Sequence, residues 1–97
     1  MNGRSDGTEL AQGYALQRQG RLAEAAAKFR QVLAREPRNG DALHLLGITL
    51  GQLGHAQEAV DLISAAVRVR PSNPYMHANL GHALHQMRHH AQAVRAY

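Results

Sequence analysis

A period of 34 residues runs through the chain and limits what it can fold into. Small, apolar and proline residues return at five positions of this period, in two or three successive copies. A period of this length indicates stacked units, because one such unit cannot bury its apolar face alone. The recurring residues are Gly13, Gly47 and Gly81; Leu16, Leu50 and Leu84; Ala25, Ala59 and Ala93; Phe29, Ile63 and Tyr97; and Pro37 and Pro71.

The most complete copy, residues 40–73, predicts two antiparallel helices. Its leucines recur every three or four positions from Asp41 to Leu53, which is the stripe of an amphipathic helix. Gly54 ends this helix, since glycine takes the left-handed backbone conformation without a Cβ clash. A second apolar stripe follows and stops at Pro71, which breaks the helical hydrogen-bond ladder. Each unit is therefore a helix, a short turn and a second helix.

Two small residues of this copy are expected to face each other across the helix pair. Gly47 lies on the first helix and Ala59 on the second. Their small size lets the two backbones approach closely, and a bulky residue at either position is expected to push the helices apart.

The residues of this unit resemble the tetratricopeptide repeat, a helix-turn-helix unit of 34 residues. The resemblance implies an all-α solenoid of antiparallel helix pairs, about 2.7 units wound into a right-handed superhelix. It is specific for fold and much less so for function, because scaffolds of this kind serve many unrelated activities. The spacing that carries it is Leu43-x2-Leu46-Gly47-x2-Leu50, Ala59-x3-Ile63 and Pro71.

The units divide the chain into one domain preceded by a short leader. Residues 1–5 are polar and contain glycine, which predicts a disordered leader or a cloning remnant. The repeat domain is residues 6–97, with repeats at 6–39 and 40–73 and a truncated repeat at 74–97. In the first repeat, Glu9 and Gln12 stand where the second has Leu43 and Leu46, so its first helix is expected to be the polar N-terminal cap.

The third repeat departs from the pattern at its turn. Ser72, Asn73 and Pro74 form a helix start signal, with an N-cap side chain followed by proline. Arg88 then occupies the position of the turn glycine, where a left-handed conformation costs about 1–2 kcal/mol. The first helix is expected to end near Met87 and a second to begin near His89. The apolar end of this repeat predicts either a homodimer or a monomer with a frayed tail, and the sequence leaves both open.

By the resemblance, the first helix of each unit lines a concave groove that binds a protein or an extended or helical peptide. The groove positions are apolar or carry histidine and amide groups, with little charge. The side chains expected to contact a partner are Leu10, Tyr14, Asp41, His44, Leu45, Ile48, Gln52, Tyr75, Asn79, His82 and His85, with Gln17, Arg18, Gly51, Ala78 and Gln86 at further positions of the same helices.

The groove positions lack the complete signature of either of two subfamilies. The clamp of lysine, arginine and asparagine that holds chaperone C-termini is absent. Of the asparagine ladder in O-linked N-acetylglucosamine transferases, only Asn79 is present, since Ala11 and Leu45 occupy the other two positions. The phrases around His44 and Asn79 nevertheless resemble repeats joined to bacterial glycosyltransferase domains. An interaction scaffold is therefore the first expectation, and the alternative is the substrate-recruiting arm of a larger enzyme such as a glycosyltransferase.

Seven histidines invite a metal interpretation. His82, His85 and His89 are spaced three and four apart and could share a helix face, and imidazole is a good ligand for zinc, copper or nickel. No carboxylate or thiol accompanies them, and a helix ending near Met87 would separate His89 from the others. We therefore expect neither a native metal site nor any other cofactor.

Composition disfavours several other functions. The net charge is +4, but the arginines are scattered and no aromatic residues alternate with them to stack bases, so nucleic-acid binding is not expected. The apolar stretches fall short of the roughly 18 residues that span a bilayer, and the first eight residues lack a signal-peptide core. We expect no membrane partner and a cytoplasmic location. No hydroxyl nucleophile lies at a recognisable spacing from a histidine, and no glycine-rich phosphate loop occurs, so the chain is not expected to be an enzyme by itself.

Overall fold

The computed structural model describes the backbone of residues 2–95 and the side chains of residues 8–89 and 91. All regular structure in this part of the chain is α-helical, as the sequence predicted. Residues 2–5, for which disorder was predicted, continue the backbone of the first helix, and their assignment as a leader separate from the repeats stays a prediction. The helices are α1 (Asn2–Arg18), α2 (Leu22–Arg35), α3 (Gly40–Gln52), α4 (Ala56–Val69) and α5 (Pro74–Arg95).

Glycine turns join the helices within the first two repeats. Gly20 and Gly54 have φ angles of 81° and 92°, and no other described residue has a positive φ. In both turns the next residue closes the helix end: the Arg21 N–H donates to the Leu16 carbonyl at 2.9 Å, and the His55 N–H donates to the Leu50 carbonyl at 2.8 Å. These bonds satisfy carbonyls left over at the helix ends, which fixes the hairpin geometry.

Asparagine caps begin the helices that follow the proline turns. The Asn39 side chain accepts a hydrogen bond from the Ala42 N–H at 3.0 Å. Asn73 accepts from the Tyr75 and Met76 N–H groups at 2.9 and 3.1 Å. The predicted start signal at Pro74 is confirmed, since α5 begins there.

Three apolar clusters link successive helices into one core. The first joins α2 to α3 through Phe29, Leu46 and Leu50. The second joins α4 to α5 through Ile63 and Ala83. The third places Leu43 and Ala66 against Met76 of the next helix. Each helix pair therefore buries its apolar face against the next helix along the chain, which is the arrangement of a solenoid.

The third repeat differs from the prediction. The expected helix end near Met87 and second helix near His89 are wrong, because α5 continues for 22 residues to Arg95. The physical reason lies at Arg88, where the other repeats have Gly20 and Gly54. A left-handed conformation at a residue with a Cβ costs about 1–2 kcal/mol, whereas continuing the helix costs nothing at that residue.

Candidate functional site

The first helices of the three repeats lie side by side and form one face of the solenoid. Two hydrogen bonds cross between them. Gln17 on α1 donates to the Gln52 side chain on α3 at 3.3 Å. Asn79 on α5 lies 2.8 Å from the His44 ring on α3. Both bonds join residues 35 positions apart, so they relate neighbouring repeats in the same way.

A small cavity opens between α3, α4 and α5 on this face, with a volume of about 140 Å³. Its buried lining is apolar and small, and its exposed lining carries amides and one imidazole. None of the described residues that line it is an aspartate, a glutamate, a lysine or an arginine. The lining residues are Gly47, Ile48, Gly51, Gln52, Ala59, Ile63, Asn79, His82, Ala83 and Gln86.

Gly51 limits how far this cavity is filled from α3. A Cβ built at Gly51 would lie 3.5 Å from the Ala59 Cβ and 3.5 Å from the Gln86 side-chain oxygen. Both distances are ordinary van der Waals contacts, so an alanine fits at this position. A longer side chain would extend into the space between Ala59 and Gln86, which makes Gly51 the position from which the cavity can be filled.

The contact between His44 and Asn79 determines which hydrogen-bond donors and acceptors are available beside the cavity. Burial lowers the pKa of His44 below its ordinary value of 6.5, and the nearby Asp41 carboxylate opposes this shift without cancelling it. The neutral ring can accept at Nε2 the hydrogen bond that the Asn79 amide nitrogen donates, with the ring proton on Nδ1. The Asn79 carbonyl oxygen makes no hydrogen bond among the described residues, so it is an available acceptor at the cavity.

Part of the predicted binding surface converges on this place. Ile48, Gln52, Asn79 and His82 line the cavity, and His44 joins it through Asn79. Their roles in binding stay predictions.

The other predicted residues lie elsewhere. Leu10 and Leu45 pack against the core cluster around Phe29. Tyr14 is paired with Arg18, whose guanidinium lies 5.7 Å from the centre of the tyrosine ring. Asp41 lies 3.6 Å from the Arg70 guanidinium. Tyr75, which is 75% exposed, and His85 are on the surface of α5 outside the cavity.

Sequence reasoning missed the buried part of the lining. Gly47, Ala59, Ile63 and Ala83 were interpreted as packing residues or left unassigned, yet each also borders the cavity. The signal that could have found them is the run of small residues at Gly47, Gly51, Ala59 and Ala83, which leaves space between three helices that larger side chains would fill.

The histidines of α5 now share one helix, so the expected separation of His89 from His82 and His85 does not occur. Among the described residues there is still no group of three or more histidine, cysteine, aspartate or glutamate side chains placed to hold a metal ion. None of the helices in the same part of the chain is both long enough and apolar enough to cross a membrane.

The repeat geometry and the residues that carry it define the class of protein. The tetratricopeptide repeat model matches residues 10–74 and 44–97, which together span most of the chain. The chain therefore belongs to the tetratricopeptide repeat family, whose members generally mediate protein–protein interactions.

Particular relatives add detail. The chain is 40% identical over 55 residues to the cellulose synthase 2 operon protein C of Komagataeibacter xylinus, a match of 57% of this chain and 4% of that protein. A mutant O-GlcNAc transferase of Thermobaculum terrenum superposes with a TM-score of 0.84 at 31% identity, over 87% of this chain and 16% of that chain. A MamA mutant superposes with a TM-score of 0.78 at 23% identity, over 94% and 66%, and shares the fold. The chain thus spans a small part of the first two relatives and about two thirds of the third.

Proposed function

We propose that the chain is an interaction module that binds an extended peptide segment of a partner protein on the face formed by α1, α3 and α5. The observation that carries this proposal is the cavity of about 140 Å³ with an apolar interior and an amide-bearing edge. An engineered cavity of about 150 Å³ holds a benzene molecule. The cavity is therefore the right size for one aliphatic or small aromatic side chain of the guest.

The amides suit the backbone of such a guest. Gln52, Asn79 and Gln86 each carry a carbonyl acceptor and an amide donor. A peptide bond also offers one donor and one acceptor, so these side chains can pair with a backbone whatever its sequence. The absence of charged groups from the cavity lining favours an uncharged anchor residue, because a charge there would be desolvated without a partner.

A peptide library displayed on phage tests this directly. The wild-type chain serves as bait, and Gly51→Leu, which fills the cavity, serves for counter-selection. Fluorescence polarisation of labelled peptides then measures affinity. We expect enriched peptides with one apolar anchor, and at least a tenfold loss of affinity for Gly51→Leu, since filling the pocket excludes the anchor.

The matched control is Ala27→Leu, which adds the same side chain at an exposed position of α2, away from the cavity. This variant should bind as the wild type does. Equal affinity for the wild type and Gly51→Leu, with Gly51→Leu folded by circular dichroism, would exclude the cavity as the binding site.

The second candidate function is that of a substrate-recruiting arm in a larger enzyme. The likeness to the transferase repeats favours it, at 31% identity and a TM-score of 0.84. Tetratricopeptide repeats are generally non-catalytic, so any chemistry would belong to another domain and the groove would present a protein substrate to it. Sequencing the complete reading frame separates the two: a glycosyltransferase domain supports the arm, and further repeats alone support the scaffold.

A further inference from the structure

Equivalent glycines in the three repeats have different surroundings. A Cβ built at Gly13 would lie 2.6 Å from the Phe29 ring, and one at Gly47 would lie 2.6 Å from the Ile63 side chain. A Cβ at Gly81 would meet no atom of the described residues within 4 Å. In the first two repeats the second helix of the pair therefore presses an apolar side chain against the glycine, and in the third repeat no described residue makes this contact.

The same face of α5 exposes Leu84, whereas the equivalent Leu50 is buried and the equivalent Leu16 is partly buried. Leu50 is 3% exposed, because the helices on both sides cover it, whereas Leu84 is 43% exposed. Leu16 packs against the cluster around Phe29. Gly81 and Leu84 are three residues apart and so lie on one side of the helix. We call this side of α5, defined by Gly81, Leu84 and His85, the open face.

The period of 34 residues identifies the segment that fits the open face. One period after Ala59 and Ile63 stand Ala93 and Tyr97, so residues 89–97 have the sequence pattern of a second helix. Residues 89–97 cannot cover the open face of their own molecule while α5 is one continuous helix. Arg95 lies 14 residues beyond Gly81 along the helix, about 21 Å away. Residues 89–95 of the same molecule therefore continue away from Gly81 along α5 and do not fold back against it.

We propose that a second copy of this chain covers the open face by exchanging residues 89–97. In a dimer with two-fold symmetry, each copy would place Ala93 and Tyr97 on α5 of the other and so fill both open faces with one repeated contact. Arg88 favours this arrangement. It replaces the turn glycine that would let the segment fold back, and exchanging identical elements restores the lost contacts without a strained turn.

Disulfide trapping tests the exchange, because the natural chain contains no cysteine. The Cβ built at Gly51 lies 3.5 Å from the Ala59 Cβ, which is within disulfide range. The equivalent pair one repeat later is His85 and Ala93. The double variant His85→Cys/Ala93→Cys is oxidised at low protein concentration and run on a non-reducing gel. We expect a covalent dimer that reduction converts back to monomer.

The other outcomes overturn the proposal. A monomer with an internal disulfide would mean that the segment folds back on its own chain, and free thiols would mean that the open face stays uncovered. The matched control is His85→Cys/Arg95→Cys, in which the second cysteine is turned about 200° around the helix from position 93. It should form far less covalent dimer under the same conditions.

Light scattering tests the same contact without cysteines. The wild-type chain should have twice its monomer mass. The Cβ of Gly81→Leu would meet none of the described residues of its own copy. Its side chain would block the incoming segment, so this variant should be monomeric while retaining its helical circular dichroism. Gln86→Leu, on the opposite side of α5, should remain dimeric. A wild-type monomer, or a dimer unchanged by Gly81→Leu, would refute the exchange and would leave the peptide-binding proposal standing.

Discussion

Alanine substitutions at two glycines of α3, one helical turn apart, should change stability in opposite directions. At Gly47 a Cβ would lie 2.6 Å from the Ile63 Cγ1 and 3.3 Å from the Ala59 carbonyl oxygen. At Gly51 the nearest atoms would lie 3.5 Å away, in ordinary contact. The Ala59 carbonyl oxygen belongs to the backbone of α4. Turning the Ile63 side chain would therefore not relieve the whole of the close contact at position 47.

The two effects can be estimated separately. Overpacking a close contact costs about 1–3 kcal/mol, and replacing a helical glycine with alanine contributes about 0.5–1 kcal/mol. Gly47→Ala should therefore lose about 1 kcal/mol of unfolding free energy and about 4–8 °C in Tm. Gly51→Ala gains the helix stability of alanine over glycine without overpacking a close contact. Its unfolding free energy should therefore exceed that of the wild type by up to about 1 kcal/mol.

Urea titration followed by circular dichroism at 222 nm measures both variants against the wild type. All three proteins are compared at one concentration, since self-association would raise the apparent stability. Two results would contradict the reasoning: a urea midpoint of Gly47→Ala equal to or above that of the wild type, or the same midpoint for both variants. Either would show that close packing of α3 against α4 does not determine the effect of a substitution at Gly47.

The turns, the caps and the half-buried His44 give three further predictions. Gly54→Ala should destabilise the fold by about 1–2 kcal/mol in urea titration, because the φ of Gly54 is +92°. This cost does not come from a clash, since the Cβ would meet no atom of the described residues within 4 Å. An unchanged midpoint would show that the turn relaxes. Asn39→Ala removes the cap on Ala42 and should cost about 1 kcal/mol, whereas Asn39→Ser should retain most of the stability. Because the pKa of His44 is lowered in the folded state, the unfolded chain binds more protons below pH 6.5, so this residue should destabilise the fold as the pH falls below that value. His44→Gln, compared by thermal melts from pH 5 to 8, should show a weaker pH dependence, and an identical profile would contradict the assignment.

The candidate site was only partly visible in the sequence. The resemblance identified the groove positions, and six of them line the cavity: Ile48, Gly51, Gln52, Asn79, His82 and Gln86. It could not show that Leu45 packs against the core while Ile48, one turn later on the same helix, borders the cavity. That difference depends on how α3 is rotated between α2 and α5, which is settled by packing across helices far apart in the sequence.

The sequence by itself determined the repeat, the helix pairs and their turns. Those features are local: leucine spacing sets a helix face, Gly20 and Gly54 supply the left-handed turns, and Asn39 and Asn73 cap the helices that follow. Only the tertiary structure decided the course of α5 after Arg88 and the cavity between three helices. The helix pattern on both sides of Arg88 is compatible with a turn or with a continuous helix. Which of the two forms depends on whether packing contacts offset the strain of a turn at a residue with a Cβ.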